Sequence, residues 1–152
     1  MNRIQLALNV SNLEESIDFY SKFFRTAPAK VRSGYANFAV EDPPLKLVLI
    51  ESTNEPGSIN HLGVEVFSSE DVVEATKYLT GIGFTTEVED QTTCCYALQD
   101  KVWVDGPDAS KWEVYTVLAD SHDTENLRGD DRCCSESAEA TETISSSAAR
   151  CC

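Results

Sequence analysis

Ile4-Gln5-Leu6-Ala7-Leu8-Asn9-Val10 is followed, 56 residues later, by the similar stretch Asn60-His61-Leu62-Gly63-Val64-Glu65-Val66. Each stretch alternates apolar and more polar residues, and this period of two predicts a β-strand with one apolar face. The other face of each strand is more polar than a sealed core requires, with Gln5 and His61 at equivalent positions. A repeat of this length indicates that the chain is built from two similar modules.

A helix and further strands are predicted to follow each of these two strands. A capping-box spacing links Ser11 to Glu14 and Ser68 to Asp71, and Gly81 is the expected C-cap of the second helix. Apolar residues follow at helical spacing: Leu13, Ile17, Tyr20 and Phe24, then Val72, Ala75 and Leu79. The remaining strands are predicted at residues 35–40, 45–50, 92–98, 101–104 and 111–118. The result is an α+β fold of two β-α-β-β-β modules, residues 2–52 and 58–118.

The composition predicts an acidic domain with a polar tail. Lys and Arg number 12 against 26 Asp and Glu, a net charge of −14, which excludes nucleic-acid binding by counterion release. No apolar run approaches the roughly 20 residues of a membrane span, and the first residues lack the apolar segment of a secretory signal. The expected location is therefore the cytoplasm. Residues 120–152 hold only Leu127 and Ile144 as large apolar side chains, so we predict a disordered acidic tail behind a domain of residues 1–119.

The six cysteines all stand in adjacent pairs: Cys94-Cys95, Cys133-Cys134 and Cys151-Cys152. Neighbouring Cα atoms lie about 3.8 Å apart, which is closer than a relaxed disulfide requires. Such pairs are better interpreted as ligands of soft ions or as redox thiols, with two small buried apolar residues as the alternative for a single pair. Only Cys94-Cys95 falls inside the predicted domain.

Two modules of this kind, with polar residues on their first strands, resemble the vicinal oxygen chelate superfamily, the glyoxalase/bleomycin resistance/dioxygenase fold. The resemblance covers about residues 2–118 and implies a cup-shaped mixed sheet around a divalent metal. Four stretches narrow the resemblance to a subfamily, because together they are similar to the ArsI-type carbon–arsenic lyases and the cadmium-induced CadI proteins. These stretches are Tyr35-Ala36-Asn37-Phe38, residues 43–49, residues 60–65 and Thr92-Thr93-Cys94-Cys95.

The resemblance also implies the site residues. Carried over to this chain, the metal ligands are Gln5, His61 and Glu113, a variant of the facial triad with which non-haem Fe(II) binds dioxygen. Cys94 and Cys95 are then the catalytic and substrate-binding residues, which hold a trivalent arsenic atom between two thiolates. Lys101 is a candidate for stabilising these thiolates, although an ordinary exposed strand lysine is the favoured interpretation. Some aromatic residues are expected to line an apolar slot for the organic group on arsenic: candidates are Tyr35, Phe38, Tyr96, Trp103, Trp112 and Tyr115.

The implied activity is an Fe(II)- and O2-dependent lyase that cleaves trivalent methyl- or aryl-arsenicals to arsenite. The alternative is a binding protein that sequesters Cd(II) or As(III) through its thiols. Catechol extradiol cleavage fits less well, because the only other histidine is His122 at the tail boundary. The chain is expected to act as a monomer or homodimer. For Cys133, Cys134, Cys151 and Cys152, delivery of metalloid to the domain and a solvated tail of redox-labile thiols both remain open.

Overall fold

The computed structural model describes residues 2–94 and 96–120. The first module contains β1 (Arg3–Val10), α1 (Leu13–Phe24), β2 (Lys30–Arg32), β3 (Tyr35–Val40) and β4 (Leu45–Glu51). The second contains β5 (Ile59–Glu65), α2 (Ser69–Gly81), β6 (Thr86–Cys94), β7 (Ala97–Asp105) and β8 (Lys111–Asp120), with a 3-10 turn at Pro107–Ala109. The predicted α+β fold with two β-α-β-β-β modules is confirmed.

The eight strands form one mixed sheet in the order β2-β3-β4-β1-β5-β8-β7-β6. β1 and β5 pair antiparallel at its centre, and each pairs in parallel with the last strand of its own module. Contacts between its two edges show that the sheet is curled. Tyr96, between β6 and β7, reaches the opposite edge, which is formed by β2 and β3. Its ring lies 5.8 Å from that of Tyr35 on β3, and its carbonyl accepts a 3.1 Å hydrogen bond from Lys30 of β2. The two ends of the sheet therefore approach each other and enclose a concave face.

The helices cover the outer face of the sheet. The predicted apolar stripe of α1 packs on a buried cluster of β1, β3 and β4 that includes Phe38 and Leu49. The cap of α1 is Asn12, which accepts a 3.0 Å hydrogen bond from the Glu15 N–H, so the prediction of Ser11 was wrong by one residue. Asn and Ser cap helices equally well, and the sequence offered both in succession. Ser68 caps α2 as predicted, whereas Gly81 is its last helical residue rather than its C-cap.

The direction of each side chain on β7 follows from the packing of α2. Val102 lies in the buried cluster beneath α2, with Val66 and Val72. Since neighbouring strand residues point to opposite faces, Lys101 and Trp103 face the concave side. The register of β6 and β7 pairs Cys94 with Ala97 and Glu89 with Lys101, so these residues share that face.

The structure corrects one predicted strand and extends another. Residues 92–98 do not form one strand, because β6 ends at Cys94 and β7 begins at Ala97, with Tyr96 at a left-handed φ of 65° between them. This turn contains no Gly or Pro, so it gave no sequence signal. β8 continues to Asp120, one residue beyond the predicted domain end.

The predicted tail disorder and the tail cysteines lie outside the described residues. In the described part of the chain, every helix is too short or too polar to cross a membrane.

Candidate functional site

The three predicted metal ligands lie side by side at the centre of the sheet. The register aligns Gln5 of β1 with Gly63 of β5, and Gly63 with Glu113 of β8. His61 lies one pleat away on β5, opposite Ala7. The side chains of Gln5, His61 and Glu113 are only 3–4% exposed. The strands therefore bring together, beneath the curl of the sheet, three polar side chains that are distant in sequence.

The polar heads of these three side chains contact one another. Gln5 Nε2 lies 2.9 Å from His61 Nε2 and donates a 2.7 Å hydrogen bond to Glu113 Oε1. His61 Nε2 and Glu113 Oε1 are 3.4 Å apart. One imidazole nitrogen, one carboxylate oxygen and one amide thus converge on a single buried point.

Gly63 provides the space for this convergence. A Cβ atom at position 63 would lie 3.1 Å from Glu113 Cγ and 3.3 Å from Gln5 Cβ. These contacts are tighter than ordinary van der Waals distances, so any side chain would push the two ligands apart. Gly63 therefore forms the floor of the site, between two ligands that the register places on either side of it.

The polar groups of His61 and Gln5 each contact a further residue on the side away from the site. His61 Nδ1 lies 2.7 Å from Asn60 Oδ1, which fixes the imidazole so that Nε2 faces the site. The Tyr115 hydroxyl donates a short hydrogen bond to Gln5 Oε1. Since a hydroxyl both donates and accepts, Tyr115 can hold either orientation of the Gln5 amide.

Lys101 is a buried member of the site, and the favoured interpretation as an exposed strand lysine was wrong. It is 1% exposed, and its Nζ donates a 3.0 Å hydrogen bond to Glu113 Oε2. The ammonium also lies 5.2 Å from the centre of the Trp103 ring. Lys101 therefore holds one carboxylate oxygen of Glu113 and leaves Oε1 to face Gln5 and His61.

These contacts keep Glu113 ionised. Burial by itself raises the pKa of Glu113, but the close contact with His61 and the charge of Lys101 outweigh burial and hold the pKa at about 2. Burial also raises the pKa of Tyr115 well above its ordinary value, and the carboxylates of Glu65 and Glu113 add to this shift. Tyr115 is therefore a neutral hydrogen-bond partner at any physiological pH, beside an anionic ligand.

The donor set fits a divalent metal. Ligands about 2.1 Å from a shared metal lie roughly 3.0–3.4 Å apart at octahedral or tetrahedral angles, which matches the His61–Glu113 separation of 3.4 Å. Within residues 2–94 and 96–120, no three His, Cys, Asp or Glu side chains cluster, so a metal held here would take the neutral amide of Gln5 as its third donor. A His, carboxylate and amide set leaves coordination positions for other ligands.

Cys94 lies on the same concave face, at the end of β6. It is 1% exposed and disulfide-bonded, and Cys95 lies outside the described residues. The following aromatic residue, Tyr96, packs against the cluster of Ala7, Tyr35, Val48 and Ile50. Since Ala7 is the register partner of His61, Tyr96 lies over the part of the sheet that carries the three predicted ligands.

Sequence reasoning missed three residues of this site: Asn60, Lys101 as a partner of Glu113, and the Tyr115 hydroxyl. Asn60 and Tyr115 carry a usable signal, because each lies one or two positions from a predicted ligand. Lys101 carries none, since its pairing depends on the register between β7 and β8, which pairs Lys101 with Tyr115.

Comparisons with known proteins show the family of the chain. The sequence profile of the glyoxalase/bleomycin resistance protein/dioxygenase superfamily matches residues 3–114. The chain is 60% identical over 121 residues to the cadmium-induced protein CadI of Mycobacterium tuberculosis, 80% of each chain. It is 56% identical over 135 residues to the trivalent organoarsenical cleaving enzyme of Thermomonospora curvata, 88% of this chain and 89% of that one.

A solved structure shares the fold at low sequence identity. The 2,3-dioxygenase LapB of Pseudomonas sp. KL28 matches with a TM-score of 0.61 at 20% identity, over 77% of this chain and 41% of that one. The chain therefore spans about two fifths of that dioxygenase.

Proposed function

The chain belongs to the glyoxalase/bleomycin resistance protein/dioxygenase superfamily, and we propose that it cleaves the carbon–arsenic bond of trivalent organoarsenicals, with Fe(II) and O2, to release arsenite. The similarity to organoarsenical cleaving enzymes, 56% identity in one case, supports the reaction class. The observation that carries the proposal is the convergence of Gln5, His61 and Glu113 on the concave face that also holds Cys94.

In this proposal, His61 Nε2, Glu113 Oε1 and the Gln5 amide hold the metal. A ferrous ion with open positions supplies the binding and activation of O2. Lys101 keeps Glu113 Oε2 occupied, so that the carboxylate offers one oxygen, and Asn60 keeps His61 Nε2 aimed at the site. Burial of all three ligands keeps bulk water away from the reacting groups.

Cys94 and Cys95 hold the arsenic. Two thiolates from one chain bind a trivalent arsenic atom as a chelate, because the second bond forms at high effective concentration. This requires free thiols, so the disulfide at Cys94 must be reduced before substrate binds. The wall of Ala7, Tyr35, Val48 and Tyr96 then offers an apolar surface to the organic group.

A second candidate function is thiol-based sequestration of Cd(II) or As(III) without turnover. The observations that favour it are the 60% identity to a cadmium-induced protein and the three vicinal cysteine pairs of the sequence. In that case Gln5, His61 and Glu113 have a structural role or bind a metal that takes no part in a reaction.

Product analysis separates the two functions. Anaerobically reduced protein is loaded with Fe(II), mixed with methylarsenite or phenylarsenite, and exposed to O2, and released arsenite is measured. The lyase proposal predicts O2-dependent release, abolished in Cys94→Ser although that variant still binds Fe(II). Tight binding of the arsenical with no arsenite released contradicts the lyase proposal and supports sequestration.

A further inference from the structure

Three side chains next to the proposed site carry buried polar atoms without hydrogen-bond partners among the described residues. The atoms concerned are Gln99 Oε1, Trp103 Nε1 and both carboxylate oxygens of Glu89, none of which has a partner among the described residues. Gln99 is 6% exposed and Trp103 is 8% exposed. Burial raises the pKa of Glu89, and this shift is opposed by the charge of Lys101 and by the nearby Trp103 indole. Since Glu89 has these two neighbours, the amide oxygen of Gln99 is the unpaired acceptor from which we argue.

Gln99 lies between the two proposed functional groups. On β7 it stands two residues from Ala97, the register partner of Cys94, and two residues from Lys101, which binds Glu113. Each interval is one repeat of the pleat, about 7 Å along the strand. All of these residues face the concave side, so Gln99 lies along β7 between the position of Cys94, where arsenic is proposed to bind, and that of Lys101, which contacts the proposed ligand Glu113.

The packing of the fold does not explain why a polar residue stands at position 99. A buried acceptor without a partner destabilises the folded state, and an apolar residue of similar size would avoid that cost. The contrast is Gln5, whose amide is hydrogen-bonded through both its nitrogen and its oxygen. An unpaired acceptor on the concave face is satisfied when a ligand brings a donor to it.

We propose that Gln99 Oε1, together with the Glu89 carboxylate, forms a polar subsite for hydrogen-bond donors on the organic group of the arsenical. This rests on the proposed function, since arsenic at Cys94 is what directs the organic group along β7. A methyl group has no donor and is too short to use the subsite. An aromatic ring with an amino or hydroxyl group opposite arsenic carries its donor toward Gln99 and Glu89. The subsite thus selects aryl arsenicals with donor substituents.

Binding to metal-free protein tests the subsite apart from catalysis. Reduced protein in a Trp112→Phe background leaves Trp103 as the only tryptophan. Its fluorescence is titrated anaerobically with phenylarsenite and with 4-aminophenylarsenite. We expect the amino compound to bind roughly 10-fold more tightly, the value of one hydrogen bond to an otherwise unpaired buried acceptor. Gln99→Leu is expected to remove this difference and leave phenylarsenite affinity unchanged, whereas Gln99→Glu, which keeps an acceptor, retains it.

The melting temperature distinguishes a binding role from a structural one. Since Gln99→Leu removes an unpaired buried acceptor, its melting temperature should equal or exceed that of the parent protein. Glu89→Gln provides a second variant. We expect it to prefer the amino compound over phenylarsenite by a smaller factor than the parent protein does. Equal affinities of the two compounds in the parent protein, or the same preference in Gln99→Leu, overturn the subsite while leaving the lyase proposal intact. Failure of both compounds to bind reduced protein overturns both.

Discussion

The two modules have the same fold but contribute very different chemistry to the concave face. Ala7 on β1 pairs with Val48 on β4, and the equivalent pair in the second module is Gly63 on β5 with Glu113 on β8. Val48 belongs to a buried cluster with Ala7, Tyr35 and Ile50, whereas Glu113 is an ionised carboxylate held by Lys101 and a proposed metal ligand. The position that carries a carboxylate in one module therefore carries a valine in the other.

This difference explains how a symmetric fold makes an asymmetric site. Around the three converging side chains, the first module contributes one neutral amide and an apolar wall, and the second contributes His61, Glu113, Lys101 and Cys94. The buried Lys46 of the first module lies beside Gln5 on β4, but its charge is paired with Glu65. A metal at the centre would have anionic and imidazole ligands on one side and the apolar wall on the other. The open coordination positions are therefore expected on the side of Val48.

Removal of a ligand from the second module should have the largest effect. His61→Ala or Glu113→Ala is expected to abolish turnover and most Fe(II) affinity, because an imidazole or an anion is lost from a buried set of three. Gln5→Ala should be milder, a loss of roughly 10–100-fold in affinity, since water can replace a neutral amide. Isothermal titration of the apo variants measures this, with Asn37→Ala as a buried polar control on β3. Undiminished affinity in both the His61 and Glu113 variants would show that the metal site lies elsewhere.

Val48→Glu tests the asymmetry directly. It places a carboxylate where the second module has Glu113, and so fills an open position with a fourth ligand. We expect tighter divalent-metal binding together with strong loss of turnover. In metal-free protein the new buried carboxylate has no partner and should lower the melting temperature, and metal should restore it.

Val48→Leu is the matched control, since it keeps the wall apolar and should change metal affinity little. If Val48→Glu binds metal no better than the parent protein, then Val48 does not face the metal and the comparison between the modules is wrong.

The depressed pKa of Glu113 predicts a smaller effect, on acid stability. A carboxyl group whose pKa falls from 4.5 when unfolded to about 2 when folded stabilises the protein above pH 4.5. That contribution, on the order of 3 kcal/mol, is lost as the pH falls from about 4.5 to 2. In urea unfolding of the metal-free protein, Glu113→Gln should therefore show a weaker pH dependence across this window. An unchanged slope would mean that Glu113 is not ionised against His61 and Lys101.

The sequence predicts the parts of this site that depend on short-range pattern. The 56-residue repeat predicts β1, β5 and the equivalence of Gln5 and His61, and strand alternation predicts that Glu113 and Tyr115 share a face. It does not predict Lys101 against Glu113 or Gln99 between Lys101 and the register partner of Cys94, because both depend on the register between neighbouring strands of the second module. Lysine is rarely buried, so residue type alone predicts an exposed Lys101 and argues against a buried pair with Glu113.

Removal of the tail should have the smallest effect. β8 ends at Asp120, which pairs with Ala97 and forms an ion pair with Lys30, so the chain leaves the domain beside the turn that follows Cys94. The tail cysteines can bind arsenic, but positioning its carbon bond for attack requires the fixed strand that carries Cys94. Truncation after residue 120 is therefore expected to leave most turnover intact at saturating arsenical. Dithiols tethered to the domain raise the local concentration of bound arsenic, so the initial rate at scarce substrate should fall when they are removed. Initial rates of arsenite release at both concentrations measure this, and loss of turnover at saturation would place the tail in the active site, beside the chemistry of the second module.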